Sequence, residues 1–452
     1  MNANSVAKLW MTGGAKGVAA HAGLFVLGGF ADSLGLGAAL SAAFGRRGER
    51  APAHDRGTVL THGLLMLAGG GESCSDIEHL RAQPDLFGDV ASDSTLYRAL
   101  RDIDSSTLAE VWAAAADVRA RVWHARNGDA VSSGPLMLDV DSTLVEVHTE
   151  TKQGAAPHYK GGFGFGPMLC ATGDGEPLWI AQRPGNAAAN NIANHLEVLD
   201  GAIAQPPAAV ASGHRPGDDA ASAHRDIWLR ADSAGCSKNL ATALRDRNVV
   251  YLLTARSNEA ITAAIATART DPDMWRPAAR NPKQRRCRAQ VAELTASVDL
   301  AEWPTGTRLI VRREPFHPGA QRTLFESSSW RYWGLVTDAQ GHPVELDKIM
   351  RQHARVADTV KRLKDSGLAR MPFTDWNANA AWTALTVIGL ALVAWFQQLR
   401  LHGDLAKAAP KTLRWQLWHT PARITRSGRR TTLQLPERWP AAKALLAAHS
   451  HN

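Results

Sequence analysis

Residues 136–147 read Leu-Met-Leu-Asp-Val-Asp-Ser-Thr-Leu-Val-Glu-Val, and no other stretch limits the fold as much. Its apolar residues recur with the period of two that belongs to a β-strand. Leu136, Leu138, Val140 and Leu144 fall on one face, and Met137, Asp139, Asp141, Thr143 and Val145 on the other. Two carboxylates therefore project from the same face of an otherwise apolar strand. Aspartate is depleted in strands, and its charge is costly to bury without a partner or a metal. Two readings follow. The carboxylates are solvated at a strand end, or they are part of a site for a hard divalent cation, which prefers oxygen ligands.

At 452 residues the chain has room for two or three domains. With 45% hydrophobic and 21% charged residues it is not a disordered chain. A formal net charge of +8 favours a polyanionic partner, of which nucleic acid is the commonest. Cys74, Cys170, Cys236 and Cys287 are far apart and form no Cys-x-x-Cys. They signal neither a zinc site nor a disulfide framework, and a reducing compartment is expected. The opening residues lack the apolar core of a signal peptide. The longest apolar run, 380–396, is interrupted by Thr383, Thr386 and Gly389 and is short for a membrane span. It is expected to be a buried core helix, with no membrane partner.

Residues 17–45 are rich in Gly, Ala and Leu and read as helix broken around Gly35 and Gly37. Residues 55–130 read as a helical set, with helix starts at Ser75-Asp76-Ile77-Glu78 and Ser92-Asp93. They are either a helix-turn-helix reader of DNA or a plain bundle. Strands are expected at 136–147, 167–172 and 177–182, then an amphipathic helix with Ile192, Leu196, Leu199 and Ile203 on one side. Residues 226–232 form a strand ending in Asp232, followed by a helix and a strand at 249–254. This order implies a mixed α/β sheet. Residues 271–340 read as an all-β insertion, with a basic run at 275–288 and strands at 290–298, 308–313 and 330–337. The basic run either grips phosphates or is a solvated loop. A helix is expected at 346–364, with Leu346, Ile349, Val356, Ala357, Val360 and Leu363 on its inward stripe, and a long apolar helix at 374–400. The basic tail contains a β-hairpin at 422–435, turning at Ser427-Gly428 and edged in arginine, a candidate for DNA contact.

Asp141 and Asp232 each stand where a strand leaves the sheet. A two-metal phosphoryl-transfer centre needs such carboxylates on adjacent strands and one more from a later helix. Several motifs in order around these residues resemble bacterial insertion-sequence transposases of the DDE superfamily, in the branch with a β-strand insertion before the last acidic residue. They are Leu138-Asp139-Val140-Asp141-Ser142-Thr143, Tyr159-Lys160-Gly161-Gly162-Phe163-Gly164-Phe165, Arg183-Pro184-Gly185-Asn186, Arg230-Ala231-Asp232-Ser233-Ala234-Gly235 and Lys364-Asp365-Ser366-Gly367-Leu368. The resemblance covers nearly the whole chain.

The resemblance implies an α/β fold with an RNase H-like catalytic core. A helical DNA-binding region, 1–130, would precede the core, 131–270 and 341–402. The β insertion would occupy 271–340 and the basic tail 403–452. It implies cleavage and strand transfer at terminal inverted repeats, with Mg2+ as cofactor and Mn2+ able to substitute. Asp141 would be the first catalytic and metal-binding carboxylate, Asp232 the second, and Asp139 a supporting one. Lys160, Arg285, Arg286, Arg429 and Arg430 are the expected DNA contacts. Double-stranded DNA, as element ends and target, would be bridged by paired protomers in the cytoplasm, at the bacterial nucleoid. The chain departs from the pattern at the third acidic position, where Ala357 stands in place of glutamate. Asp358 follows it as a possible third carboxylate, but helical geometry turns it about 150° from the inward stripe. A transposase-derived DNA-binding protein without strand chemistry is the alternative.

Overall fold

The alternating stretch forms strand β1 (Leu136–Ser142) inside a nine-stranded sheet. The computed structural model describes residues 12–45, 53–127, 134–279, 288–316 and 330–450. Strands β2 (Met168–Thr172), β3 (Pro177–Ala181), β4 (Ile227–Ala231) and β5 (Val249–Thr254) join β1 in the order β3-β2-β1-β4-β5. β1, β4 and β5 are parallel, with Val140 beside Ala231 and Ala231 beside Leu253. β2 runs antiparallel to β1, and β3 to β2. β1 is shorter than its alternation suggests. After Ser142 the amide of Thr143 donates to Pro167 O at 2.9 Å, and Val145–Glu146 crosses into a small sheet with Ala156–Pro157 and Phe163–Phe165.

The β-rich region 271–340 extends this sheet instead of forming its own layer. β6 (Arg276–Pro277), β7 (Gln290–Glu293), β8 (Arg308–Pro315) and β9 (Trp330–Thr337) continue past β5 in the order β9-β8-β7-β6, every pair antiparallel. The outer edge of β5 offers unpaired amides and carbonyls, and β9 satisfies them by setting Leu335 beside Thr254 and Thr337 beside Leu252. The strand expected over 290–298 stops at Glu293, and a 3-10 turn, Thr295–Ser297, replaces its end. Where β8 and β9 project furthest, the Arg313 guanidinium lies 4.0 Å from the Trp275 ring centre and 4.7 Å from that of Trp330.

The N-terminal region is helical, as its composition predicts: α1 (Ala22–Ser33), α2 (Leu36–Ala43), α3 (Arg56–Gly69), α4 (Asp93–Arg101) and α5 (Ser105–Asn127). Gly35, at φ +68°, turns the chain between α1 and α2. Ser92 caps α4 through the Thr95 amide. α6 (Ile192–Ile203), α7 (Lys238–Arg245) and α8 (Glu259–Arg269) cover one face of the sheet. There Leu138, Val140, Leu229, Tyr251 and Leu253 pack with Val198, Leu199, Leu240 and Leu244. The other face carries Asp139 and is covered by α9 (Pro343–Met350), a 3-10 segment, Arg351–Arg355, and α10 (Val356–Leu363). The single helix expected over 346–364 is thus two helices with a tighter turn between them.

The long apolar helix, α11 (Trp376–Arg400), is buried along most of its length in a core shared with α1 to α5 and the C-terminal segments. Chain ends meet here as well. Ala22 N donates to Thr420 O at 3.0 Å, and Val18–Ala19 pairs with Ala422–Ser427, which forms the expected hairpin with Arg430–Gln434. One charged group ties the helical layer to the sheet. Glu176, just before β3, is fully buried; Arg119 Nε and Trp395 Nε1 each donate to its Oε1 at 2.8 Å, and Trp123 Nε1 to its Oε2 at 3.1 Å. Removing one partner of a buried pair strands the other charge. Arg119→Ala is expected to lower stability by about 3–5 kcal/mol, read as a drop in the urea midpoint. A surface substitution such as Arg81→Ala, at an exposed ion pair with Glu78, should change it by about 1 kcal/mol or less.

Candidate active site

β1 and β4 pair in register with Asp139 directly beside Arg230. Both side chains are about 1% exposed, so neither charge is tolerable alone. Arg230 closes a two-bond fork on the carboxylate, Nε to Oδ1 at 2.7 Å and Nη2 to Oδ2 at 2.6 Å. Its Nη1 donates to Ile349 O at 2.7 Å. His353, in the 3-10 segment, donates from Nδ1 to Asp139 Oδ1 at 2.8 Å. Two strands and the chain leading into α10 are thus clamped around one carboxylate. Both oxygens of Asp139 are occupied by protein donors.

Asp141 and Asp232 lie one residue beyond the Val140–Ala231 pair, at the ends of neighbouring parallel strands. Asp141 Oδ1 accepts from Ser142 N at 2.7 Å, and Asp232 Oδ1 from Ala234 N at 3.0 Å. Burial raises the Asp141 pKa above the ordinary aspartate value, and the negative charges of Asp232 and Asp139 add to the rise, while the Ser142 amide and His353 oppose it. Arg256 holds the turn after Asp232, with Nε on Ser233 O at 2.6 Å and Nη2 on Ala234 O at 2.8 Å. Behind it stands buried His195 of α6, whose Nδ1 pairs with Asn191 O at 2.9 Å. Desolvation lowers the His195 pKa, opposed first by the Asn191 hydrogen bond and more weakly by the Asp232 charge.

The third acidic position does not face inward as the helical stripe predicts. The 3-10 segment resets the register, and the buried face of α10 is Val356, Thr359 and Leu363. Ala357, about 100° from Val356, is exposed, and so is Asp358. Two other acids precede this segment on α9: Asp347 is buried against Arg312 at 2.8 Å, and Glu345 is paired with Lys348 at 2.9 Å. Among the described residues, no three His, Cys, Asp or Glu side chains are grouped as metal ligands. The two strand-end carboxylates are the right kind of donor for a hard divalent cation.

A cleft of about 860 Å3 opens from Ser142–Thr143, immediately after Asp141, and Lys160 lies on its lining. Lys364 reaches across the cleft to Leu144 O at 2.9 Å; burial first, and then the charge of Lys160, lower its pKa. Arg183, buried, braces one wall by donating from Nε to Gly166 O at 2.8 Å. Arg429 and Arg430 are exposed on the separate C-terminal hairpin. Arg285 and Arg286 lie outside the described residues. Sequence reasoning missed Arg230, His353, Arg256 and His195. Arg230 carried a signal, since Asp139-x-Asp141 and Arg230-x-Asp232 put opposite charges two residues before each strand-end carboxylate.

A family model described as transposase DDE domain, group 1, matches residues 4–451. The chain belongs to the DDE transposase family. DDE transposases act on DNA and generally use divalent metal ions. No curated protein matches the sequence. For this DDE transposase without metal, Asp141 is expected to keep its proton to a higher pH than a free aspartate. Asp232→Asn removes a neighbouring negative charge and should bring the Asp141 midpoint down. Carboxyl-carbon NMR titration reads both; an Asp141 midpoint indifferent to the substitution would separate the two groups.

Proposed function

We propose that this chain recognises the terminal inverted repeats of an insertion sequence as double-stranded DNA and is built for metal-dependent cleavage and strand transfer. The observation that carries the reading is the placement of Asp141 and Asp232 one residue past a register pair in adjacent parallel strands. The strand order β3-β2-β1-β4-β5, with only β2 antiparallel among the four strands from β2 to β5, supports an RNase H-like core. Asp141 and Asp232 would hold Mg2+, or Mn2+ in its place, which when bound activates an attacking hydroxyl and stabilises the leaving oxygen. Asp139 is a positioning residue in this reading. Held by Arg230 and His353, it keeps the two strands and the approach to α10 in one arrangement. Lys160, on the lining of the cleft that begins at Ser142, and Arg429 and Arg430 on the hairpin are the phosphate contacts, together with Arg285 and Arg286 of the basic run. Paired protomers bridging two ends, in the bacterial cytoplasm at the nucleoid, complete the reading.

A second reading, DNA binding without strand chemistry, is favoured by one observation: a methyl group occupies position 357, and no third ligand joins Asp141 and Asp232 among the described residues. We favour a silenced enzyme, because Ala357 stands in the first turn of α10, just after the His353 contact with Asp139, and is exposed, so a longer side chain has room there. Ala357→Glu is therefore expected to raise Mg2+- or Mn2+-dependent nicking of DNA carrying the element's ends by roughly 100-fold, the order of one lost preorganised group. Asp232→Ala in that background should abolish it. Nicking by the unaltered chain at the rate of the Glu form would mean that another carboxylate completes the site. All three forms should bind DNA with an affinity falling linearly in the logarithm of salt concentration, since phosphate contacts release counterions. Binding indifferent to salt would remove DNA from the reading altogether.

A further inference from the structure

The segment between Ala156–Pro157 and Phe163–Phe165 is a hairpin tip, with Pro157 beside Phe163. It is a rigid tip. His158 N donates to Gly162 O and Gly161 N to His158 O, both at 2.9 Å, and Gly161 takes φ +81°. The His158 ring is buried beneath the turn and accepts from Lys160 N at 3.3 Å. A Cβ on Gly162 would come within 2.5 Å of that ring, so only glycine lets the turn close over it. This construction holds Tyr159 outward. The residue is 84% exposed, the most exposed large hydrophobic among the described residues, on the lining of the cleft that starts beside Asp141. Lys160 Nζ lies 5.7 Å from the Tyr159 ring centre.

A phenol ring fixed in water by a braced turn, with a cation at its side, has the two features that bind unpaired nucleic acid: a flat π-face for a base and a charge for its phosphate. A duplex hides its base faces except where strands separate. Strands separate at an end being processed, and the cleft begins at Ser142, the residue after Asp141. We propose that Tyr159 is a stacking platform for an unpaired base of a single-stranded extension at the DNA end, with Lys160 on the adjoining phosphate. This rests on the DNA-binding reading above and adds to it a preference for ends with unpaired bases.

The test uses the full chain and a duplex bearing a short single-stranded extension that contains 2-aminopurine, beside the same duplex made blunt. The chain is expected to bind the extended probe about tenfold more tightly than the blunt one and to quench the 2-aminopurine. Tyr159→Ala should lose the preference and the quenching, and Tyr159→Phe, which keeps the ring, should retain both. Equal binding of the two probes by the unaltered chain, or a preference that survives Tyr159→Ala, overturns the platform while leaving DNA binding intact. A Tyr159→Ala change that shifts self-association in sedimentation, with the preference unaltered, assigns the ring to a protein interface and also overturns it. Failure of the unaltered chain to bind either probe would remove the DNA-binding reading and the platform together.

Discussion

The end of the sheet that carries Asp141 and Asp232 depends on the buried pair between Asp139 and Arg230. A bidentate guanidinium–carboxylate contact compensates two charges that burial would otherwise make prohibitive. Its spare donor reaches Ile349 O, and the spare capacity of its carboxylate takes His353. The pair thereby fixes the stagger of β1 against β4 and the position of the chain that leads into α10. Asp141 and Asp232 inherit their proximity from this stagger. A slip of one residue would send one of them to the opposite face of the sheet.

Burial first, and then repulsion from the neighbouring carboxylates of Asp232 and Asp139, makes Asp141 harder to ionise than a free aspartate. In such a site the repulsion is relieved by a cation or by a proton. Over the same face of the sheet, α10 presents an exposed methyl at Ala357. An exposed position contributes little packing, so its identity bears little on the stability of the fold.

Much of this was legible in the sequence because period and punctuation dominate local structure. The alternation at 136–142, the cap at Ser92, the break at Gly35 and the turn at Ser427-Gly428 each reflect a short-range rule, and each appears in the structure. Asp141 and Asp232 were readable as strand-end acids for the same reason. What escaped was non-local. Whether β9 would add to the edge of β5 is decided by which amides lack partners after the core has formed. The break between α9 and α10 follows from His353 and Ile349 being drawn to Asp139 and Arg230, residues far away in sequence. That break is why Ala357 lies on the shoulder of its helix and not on the inward stripe. Buried Glu176, with its arginine and two tryptophans from separate helices, has no local signature at all.

The meeting of the chain's two ends bears on how it is made. Val18–Ala19 finds its strand partner only at Ala422–Arg423, Ala22 finds its carbonyl at Thr420, and Phe30 packs on Phe396 with ring centres 5.3 Å apart. On a ribosome adding about 5–20 residues per second, these partners emerge some tens of seconds after α1. During that interval the apolar face of α1 has none of its final C-terminal neighbours. The central sheet, whose strands lie closer together in the chain, is free to form first. The helical layer is completed once those segments arrive, and α1, made well before them, is among the last of these helices to be enclosed.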